Sequence, residues 1–186
     1  MPFAHDTEAA LTAAAAFVNT DRASGDLLSD PPALARFLDE QRFSGARDGT
    51  LEELDAVRAL RPRLRAAWEA AQEPTDVDAV VTVVNELFTE AQALPQVVRH
   101  DDWDWHLHLT TPDAPLVDRI GTEAAMGLAD LIRSGDLDRL KLCEADDCHD
   151  VLADLSRNRS RRFCDATCAN RMHAAAYRQR QADRTS

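Results

Sequence analysis

Four cysteines constrain this chain more tightly than any other feature, and all fall in its last quarter: Cys143, Cys148, Cys164 and Cys168. They form two close pairs, C-x4-C and C-x3-C, with fifteen residues between the pairs. Each pair can supply two thiolates from one tight turn, and a hairpin-sized interval lets the chain return to complete a tetrahedron. Four thiolates leave no open coordination position, so the spacing implies structural zinc (Zn2+) and not a hydrolytic metal. A module of about forty-five residues buries too little apolar surface to fold well alone. Coordination would supply the shortfall, roughly 10–16 kcal/mol apparent in zinc-finger peptides near neutral pH.

The competing readings of the cysteines are disulfides, a redox thiol cluster and unrelated buried thiols. Disulfides require an oxidising compartment. Residues 1–20 lack a basic start and their alanine run is interrupted by Thr12, Phe17 and Asn19, unlike an export signal. No run of eighteen apolar residues exists to span a membrane. The expected location is therefore cytoplasmic, and unrelated thiols would scatter instead of pairing.

Between the pairs lies Ser156-Arg157-Asn158-Arg159-Ser160-Arg161-Arg162, a basic run tied at both ends to the cysteines. The whole chain carries −12, but unevenly. Residues 1–140 hold 26 acidic and 12 basic side chains, whereas residues 156–184 hold eight arginines against Asp165 and Asp183. An acidic body with a basic end marks that end as a polyanion-binding segment. Neutralising about six phosphates would give a log–log salt slope near −5. The competing reading is an arginine face paired with the acidic body; the two combine if the body masks the basic segment until displaced.

The predicted architecture is mainly α with α+β character. A helical N-terminal domain with one small antiparallel β-hairpin covers residues 1–138, and a zinc-ribbon-like module with a basic C-terminal helix covers 139–186. Helices are predicted over 6–20, from Asp30-Pro31-Pro32 to about Gln41, from Thr50 to about Gln72, and from Thr75-Asp76 through Phe88. Thr50 and Glu53 read as a capping box, and Pro62 is expected to kink or split its helix. Leu94–Arg99 and Trp103–Thr110 flank the polar His100-Asp101-Asp102 as a hairpin. Its second strand alternates, with Trp103, Trp105, Leu107 and Leu109 expected inward and Asp104, His106 and His108 on the other side. A further helix opens at Asp113 and Pro115 and stops at Gly135. Leu140-Lys141-Leu142 then runs as a strand into the first cysteine pair.

Asn170 to Gln181 is expected to be helical, with Arg171 and Arg178 on one face and His173, Tyr177, Arg180 and Arg184 along a second line. In strand geometry Arg157, Arg159 and Arg161 would share a side. Arginine forks match phosphates and guanine edges. The candidate DNA contacts are therefore Arg157, Arg159, Arg161, Arg162, Arg171, Arg178 and Arg180. Asn158 and Asn170 could read adenine edges, with turn and cap chemistry as the competing explanation.

From Leu140 onward, Cys143-Glu144, Cys148, Asp154-Leu155-Ser156-Arg157-Asn158-Arg159-Ser160-Arg161-Arg162-Phe163-Cys164 and Cys168-Ala169-Asn170-Arg171 resemble the CGNR zinc finger of a bacterial family. Phe17-Val18-Asn19-Thr20 and Trp105-His106-Leu107-His108-Leu109 are similar to stretches of the helical ABATE domain, which that finger follows in stress-induced transcription regulators. The resemblance implies a DNA-binding regulator of transcription in the stress response. It also implies a sensing N-terminal domain with a small-molecule effector, and a homodimer. Asn19, Thr20, His106 and His108 become candidate effector contacts, and the two histidines could instead hold a metal. Ala169 stands where the family has glycine, which implies an ordinary backbone there, at the start of the helix.

Two other function classes stay in view. A zinc-ribbon interaction module could dock on an acidic protein surface without touching nucleic acid. An enzyme is not expected: the chain shows no Gly-rich phosphate loop, no readable nucleophile–base arrangement and no H-E-x-x-H spacing.

Overall fold

The computed structural model describes residues 5–22, 25–99 and 104–185. Within them the body is helical: α1 (His5–Val18), α2 (Pro31–Glu40), α3 (Leu51–Ala70), α4 (Val77–Glu90) and α5 (Leu116–Ser134). Local chemistry sets most of the starts. Asp30 accepts the Ala33 N–H at 2.7 Å, and Pro31 opens α2 where no N–H partner is needed. Thr50 accepts the Glu53 N–H at 3.1 Å, while the Glu53 carboxylate reaches past this cap to the N–H groups of Asp48 and Gly49. Asp76 accepts the Ala79 N–H at 3.0 Å. Helix α5 differs: Pro115 is its cap and no side chain closes the turn, so Asp113 is not the cap. Its far end stops as expected, with Gly135 left-handed at φ 70°.

Pro62 neither splits nor ends α3, which runs unbroken for 20 residues. The proline costs one hydrogen bond, but Leu54, Val57, Leu60, Leu64, Ala67 and Trp68 hold both halves of the helix on the core. Burial of each large side chain contributes about 1.5–3 kcal/mol, which outweighs the local defect. Central to the bundle is α5, packed on α1, α3 and α4. At Gly127 a Cβ would stand 3.0 Å from Leu11, so glycine lets α1 approach α5 closely.

Among the described residues the strands form three antiparallel ribbons: β1 (Asp21–Arg22) with β2 (Gly25–Asp26), β3 (Gln96–Val98) with β4 (His106–His108), and β5 (Leu140–Leu142) with β6 (Val151–Ala153). The expected hairpin is β3–β4, registered Val97 to Leu107. Its tip, His100 to Asp102, and Trp103 lie outside the described residues. The alternation of β4 is as predicted, but its two faces are reversed. Trp105 is 65% exposed and Leu107 39%, while His106 and His108 are half-buried and line a cleft. Leu109 alone of the described apolar set is buried. The cleft beneath mixes Asp6, Arg42, Ser44 and Glu123 with alanines of α1 and Met126, so polar side chains find polar partners on the hairpin's inner face.

The β5–β6 ribbon is built into the body. Leu140, Val151 and Ala153 join the main core, and the Trp68 indole N–H donates to the Leu152 carbonyl at 3.0 Å. Asn19 acts as a short extra strand for β6: its amide donates to the Val151 carbonyl and accepts the Val151 N–H, both at 2.8 Å. Replacing Asn19 by alanine leaves both backbone groups without these partners. The expected cost is about 2 kcal/mol, read from the midpoint of denaturant unfolding; a midpoint unmoved from the wild type would contradict the clamp. No helix of the described residues is long and apolar enough to cross a membrane.

Candidate metal centre and its basic surface

Three elements converge on the cysteines. Strand β5 runs directly into Cys143, the turn before β6 holds Cys148, and α6 (Ala166–Thr185) carries Cys168 in its first turn, just after Cys164. Asp165 caps that helix by accepting the Cys168 N–H at 2.8 Å. The Cys143 N–H donates to the Asp150 carbonyl at 2.8 Å, which closes the first cysteine turn onto β6. Leu152, Ala145, Phe163 and Met172 wall the site, forming a second small apolar cluster.

All four sulfurs lie within 4.8 Å of one another, with Cys148 to Cys164 at 3.7 Å and Cys164 to Cys168 at 3.6 Å. A Zn–S length of about 2.3 Å in a tetrahedron separates neighbouring sulfurs by about 3.8 Å. The donor set therefore fits zinc in number, chemistry and spacing. The Cys164 N–H points at the Cys143 sulfur at 3.4 Å, a bond that favours the thiolate. At Cys143 burial raises the pKa, but the N–H groups of Cys164 and Ala145 and the neighbouring thiols outweigh it and lower it. Burial pushes the Cys148 thiol up to about 11 and Cys164 further. Four clustered thiols do not ionise together unaided; a bound dication makes the tetrathiolate favourable.

The arginine run is a loop and not a strand, because it must turn from β6 back to α6 around a single buried carboxylate. Asp154 is fully buried and accepts from Lys141 Nζ at 2.7 Å, the Ser156 N–H at 3.1 Å, the Ser156 hydroxyl at 2.5 Å and the Arg161 N–H at 2.8 Å. Lys141 also donates to the Arg159 carbonyl at 2.7 Å. Arg159, left-handed at φ 51°, turns its side chain to Asp138 at 2.6 Å and to Asp136. Arg162 pairs with Glu144 at 2.7 Å and Arg171 with Asp147 at 2.6 Å. The Arg161 guanidinium donates to the carbonyls of Phe163 at 3.1 Å and Cys164.

Among the candidate DNA contacts the structure thus separates two groups. Arg159, Arg162 and Arg171 have carboxylate partners. Arg157, Arg161, Arg178 and Arg180, with Arg184 beyond them, are exposed and have none among the described residues. Asn158 and Asn170 are exposed. Among these candidates and the described residues, Arg159 alone pairs with carboxylates that precede the cysteine module, Asp136 and Asp138.

Helix α6 is as expected and longer at both ends. Ala169 sits in ordinary helical backbone, its N–H bonded to the Asp165 carbonyl at 3.2 Å, so no glycine is required there. Phe163 meets His173 edge-on at 6.1 Å. Beyond that contact, residues 176–184 are exposed along their whole length.

The other candidate positions lie elsewhere. Asn19 holds β6, and Thr20 is buried, donating to the Phe17 carbonyl at 2.7 Å and accepting from Arg61 at 3.2 Å. Arg61 in turn grips Asp26 through two bonds of 2.7 Å, which lower the Asp26 pKa. His106 and His108 belong to the cleft under β3–β4. Sequence reading missed Asp154, Lys141, Glu144, Asp147 and Asp165. Two of these left a signal: Asp154-Leu155-Ser156 is an Asx-turn pattern, and Asp165 stands three residues before Cys168, the N-cap interval.

Compared with known families, residues 11–135 match the model of the ABATE family, described as "Putative stress-induced transcription regulator". Residues 139–181 match the CGNR zinc finger. No curated protein matches the chain.

Proposed function

The chain belongs to the ABATE family and ends in a CGNR zinc finger, and from that premise we propose that it is a DNA-binding transcription regulator. Cys143, Cys148, Cys164 and Cys168 hold a structural zinc ion. Residues 139–186 contact DNA, and residues 1–138 respond to an effector. Neither family is an enzyme family. The observation that carries the reading is the placement of Arg157, Arg161, Arg178, Arg180 and Arg184. In a chain of net charge −12, these cations have no carboxylate partner among the described residues, and they stand on a loop and a helix that start from one metal centre. Coordination fixes the start of α6, so its arginines are carried at a set distance from those of the loop. Such spacing suits a polyanion with regularly placed phosphates.

Fluorescence anisotropy of the zinc-loaded chain with a labelled mixed-sequence duplex tests this directly. Five unpaired arginines predict a log–log salt slope near −4.5. Arg178→Ala and Arg180→Ala should each reduce the slope by about one. Absence of binding at low salt, or binding indifferent to salt, would remove the nucleic-acid reading. The remaining function would then be a zinc ribbon that docks on protein.

A further inference from the structure

Strand β4 turns its apolar side chains to solvent and its histidines inward, against the pattern expected of a strand laid on a core. Such local contradictions between pattern and fold concentrate at functional sites. The inward histidines converge. His106 Nε2 and His108 Nε2 stand 3.0 Å apart, with the rings edge-on and their centroids 4.8 Å apart. They line a cleft between α1, α5 and the segment after α2, shared with Asp6, Ser44, Glu123 and Met126.

The tautomers follow from geometry. His106 Nδ1 lies 2.7 Å from the Asp104 carbonyl oxygen, which can only accept, so Nδ1 carries the proton. In the neutral form His106 then has its lone pair at Nε2, and the 3.0 Å contact is a hydrogen bond when His108 carries its proton on Nε2. A backbone carbonyl that fixes the far nitrogen is the usual support of a metal-ligating imidazole.

From this geometry we infer that His106 and His108 form a second metal site, separate from the cysteine centre, for a divalent first-row transition ion. The ion takes both Nε2 lone pairs when the His108 ring proton moves from Nε2 to Nδ1, a shift between neutral tautomers that releases no net proton, so both nitrogens become ligands. With metal–nitrogen lengths of about 2.1 Å, a 3.0 Å separation gives an N–M–N angle near 90°. That is the cis angle of an octahedral or tetragonal ion such as Ni2+, Co2+ or Cu2+, and it is too narrow for a tetrahedral one. Asp6 and Glu123 line the same cleft, and so does Arg42. The site does not depend on DNA binding, and it can be measured without it.

The experiment uses the full chain with its cysteine centre already loaded with zinc. Calorimetric titration with Ni2+ should show one further ion per chain, with zinc content unchanged. His106→Asn and His108→Asn should each weaken that binding at least tenfold, and the double variant should abolish it. Circular dichroism and zinc content of the variants control for folding. On the wild-type chain, one equivalent of Cu2+ should give nitrogen superhyperfine structure from two imidazoles in its electron paramagnetic resonance spectrum. Undiminished Ni2+ binding in the double variant, Ni2+ uptake only by expulsion of zinc, or copper without two-nitrogen coupling would each overturn the site.

Discussion

Serine at Cys143, Cys148, Cys164 or Cys168 is expected to abolish the stoichiometric zinc and unfold the C-terminal end of the chain. The predicted loss is large because coordination energy is folding energy here, about 10–16 kcal/mol apparent for comparable peptides. The apolar cluster around the cysteines is small, with Leu152 and Ala145 as its buried non-cysteine members. Helix α6 has little else to hold it: beyond its first turns it is exposed, and isolated helices of this length are marginal in water. Far-UV circular dichroism should lose about the contribution of one 20-residue helix. The change should also reach the body. Leu152 belongs to the metal-side cluster, while Val151 and Ala153 on the same strand belong to the main core. Trp68 donates its indole N–H to the Leu152 carbonyl, so its fluorescence should report loss of the centre from across the ribbon. A chelator strong enough to strip zinc should reproduce the serine variants. Full zinc content in any one of them, with an unchanged spectrum, would remove that cysteine from the centre.

How much of this was legible in the sequence depends on the range of each interaction. Caps are local, and Asp30, Thr50, Asp76 and Gly135 start or stop helices where their side chains or left-handed backbone require it. The cysteine spacing is semi-local, and the sulfurs meet as their intervals demand. What failed was anything decided by a distant neighbour. The period of β4 could be read, but which face turned inward depended on the cleft that α1 and α5 form beneath it. Pro62 looked able to split its helix because the burial that keeps α3 unbroken comes from other helices. Val151 to Ala153 form a strand through partners far away in sequence: Leu140 to Leu142 on one side and Asn19 on the other. The arginine run can be read in strand geometry because the Asx-turn pattern at Asp154 does not show that the same carboxylate also holds the Arg161 N–H, seven residues on.

That buried carboxylate is the second place where a small change should matter greatly. Asp154→Asn keeps the shape but removes the charge facing Lys141, and turns an acceptor of four donors into a mixed group. Breaking a buried ion pair in this way costs about 3 kcal/mol, at the low end of the range because Lys141 retains some access to water. For a chain of this length the melting temperature should drop by roughly 6–12 °C. The pH dependence carries a sign that separates this mechanism from general damage. At Asp154 burial raises the pKa, but the bonds from Lys141, Ser156 and the Arg161 backbone outweigh it, and the net shift is downward. A carboxyl depressed by folding stabilises the protein above its unfolded pKa of about 3.9 and loses that contribution as pH falls through the folded value. The stability difference between wild type and Asp154→Asn should therefore be level above about pH 5 and shrink steadily as the pH drops below 4. DNA affinity should fall along with stability, since Asp154 fixes both Ser156 and Arg161 at the ends of the basic loop. Denaturant titrations of both proteins from pH 3 to pH 7 provide the check. A difference that stays constant through the acid range would mean that Asp154 holds the loop by shape and not by charge.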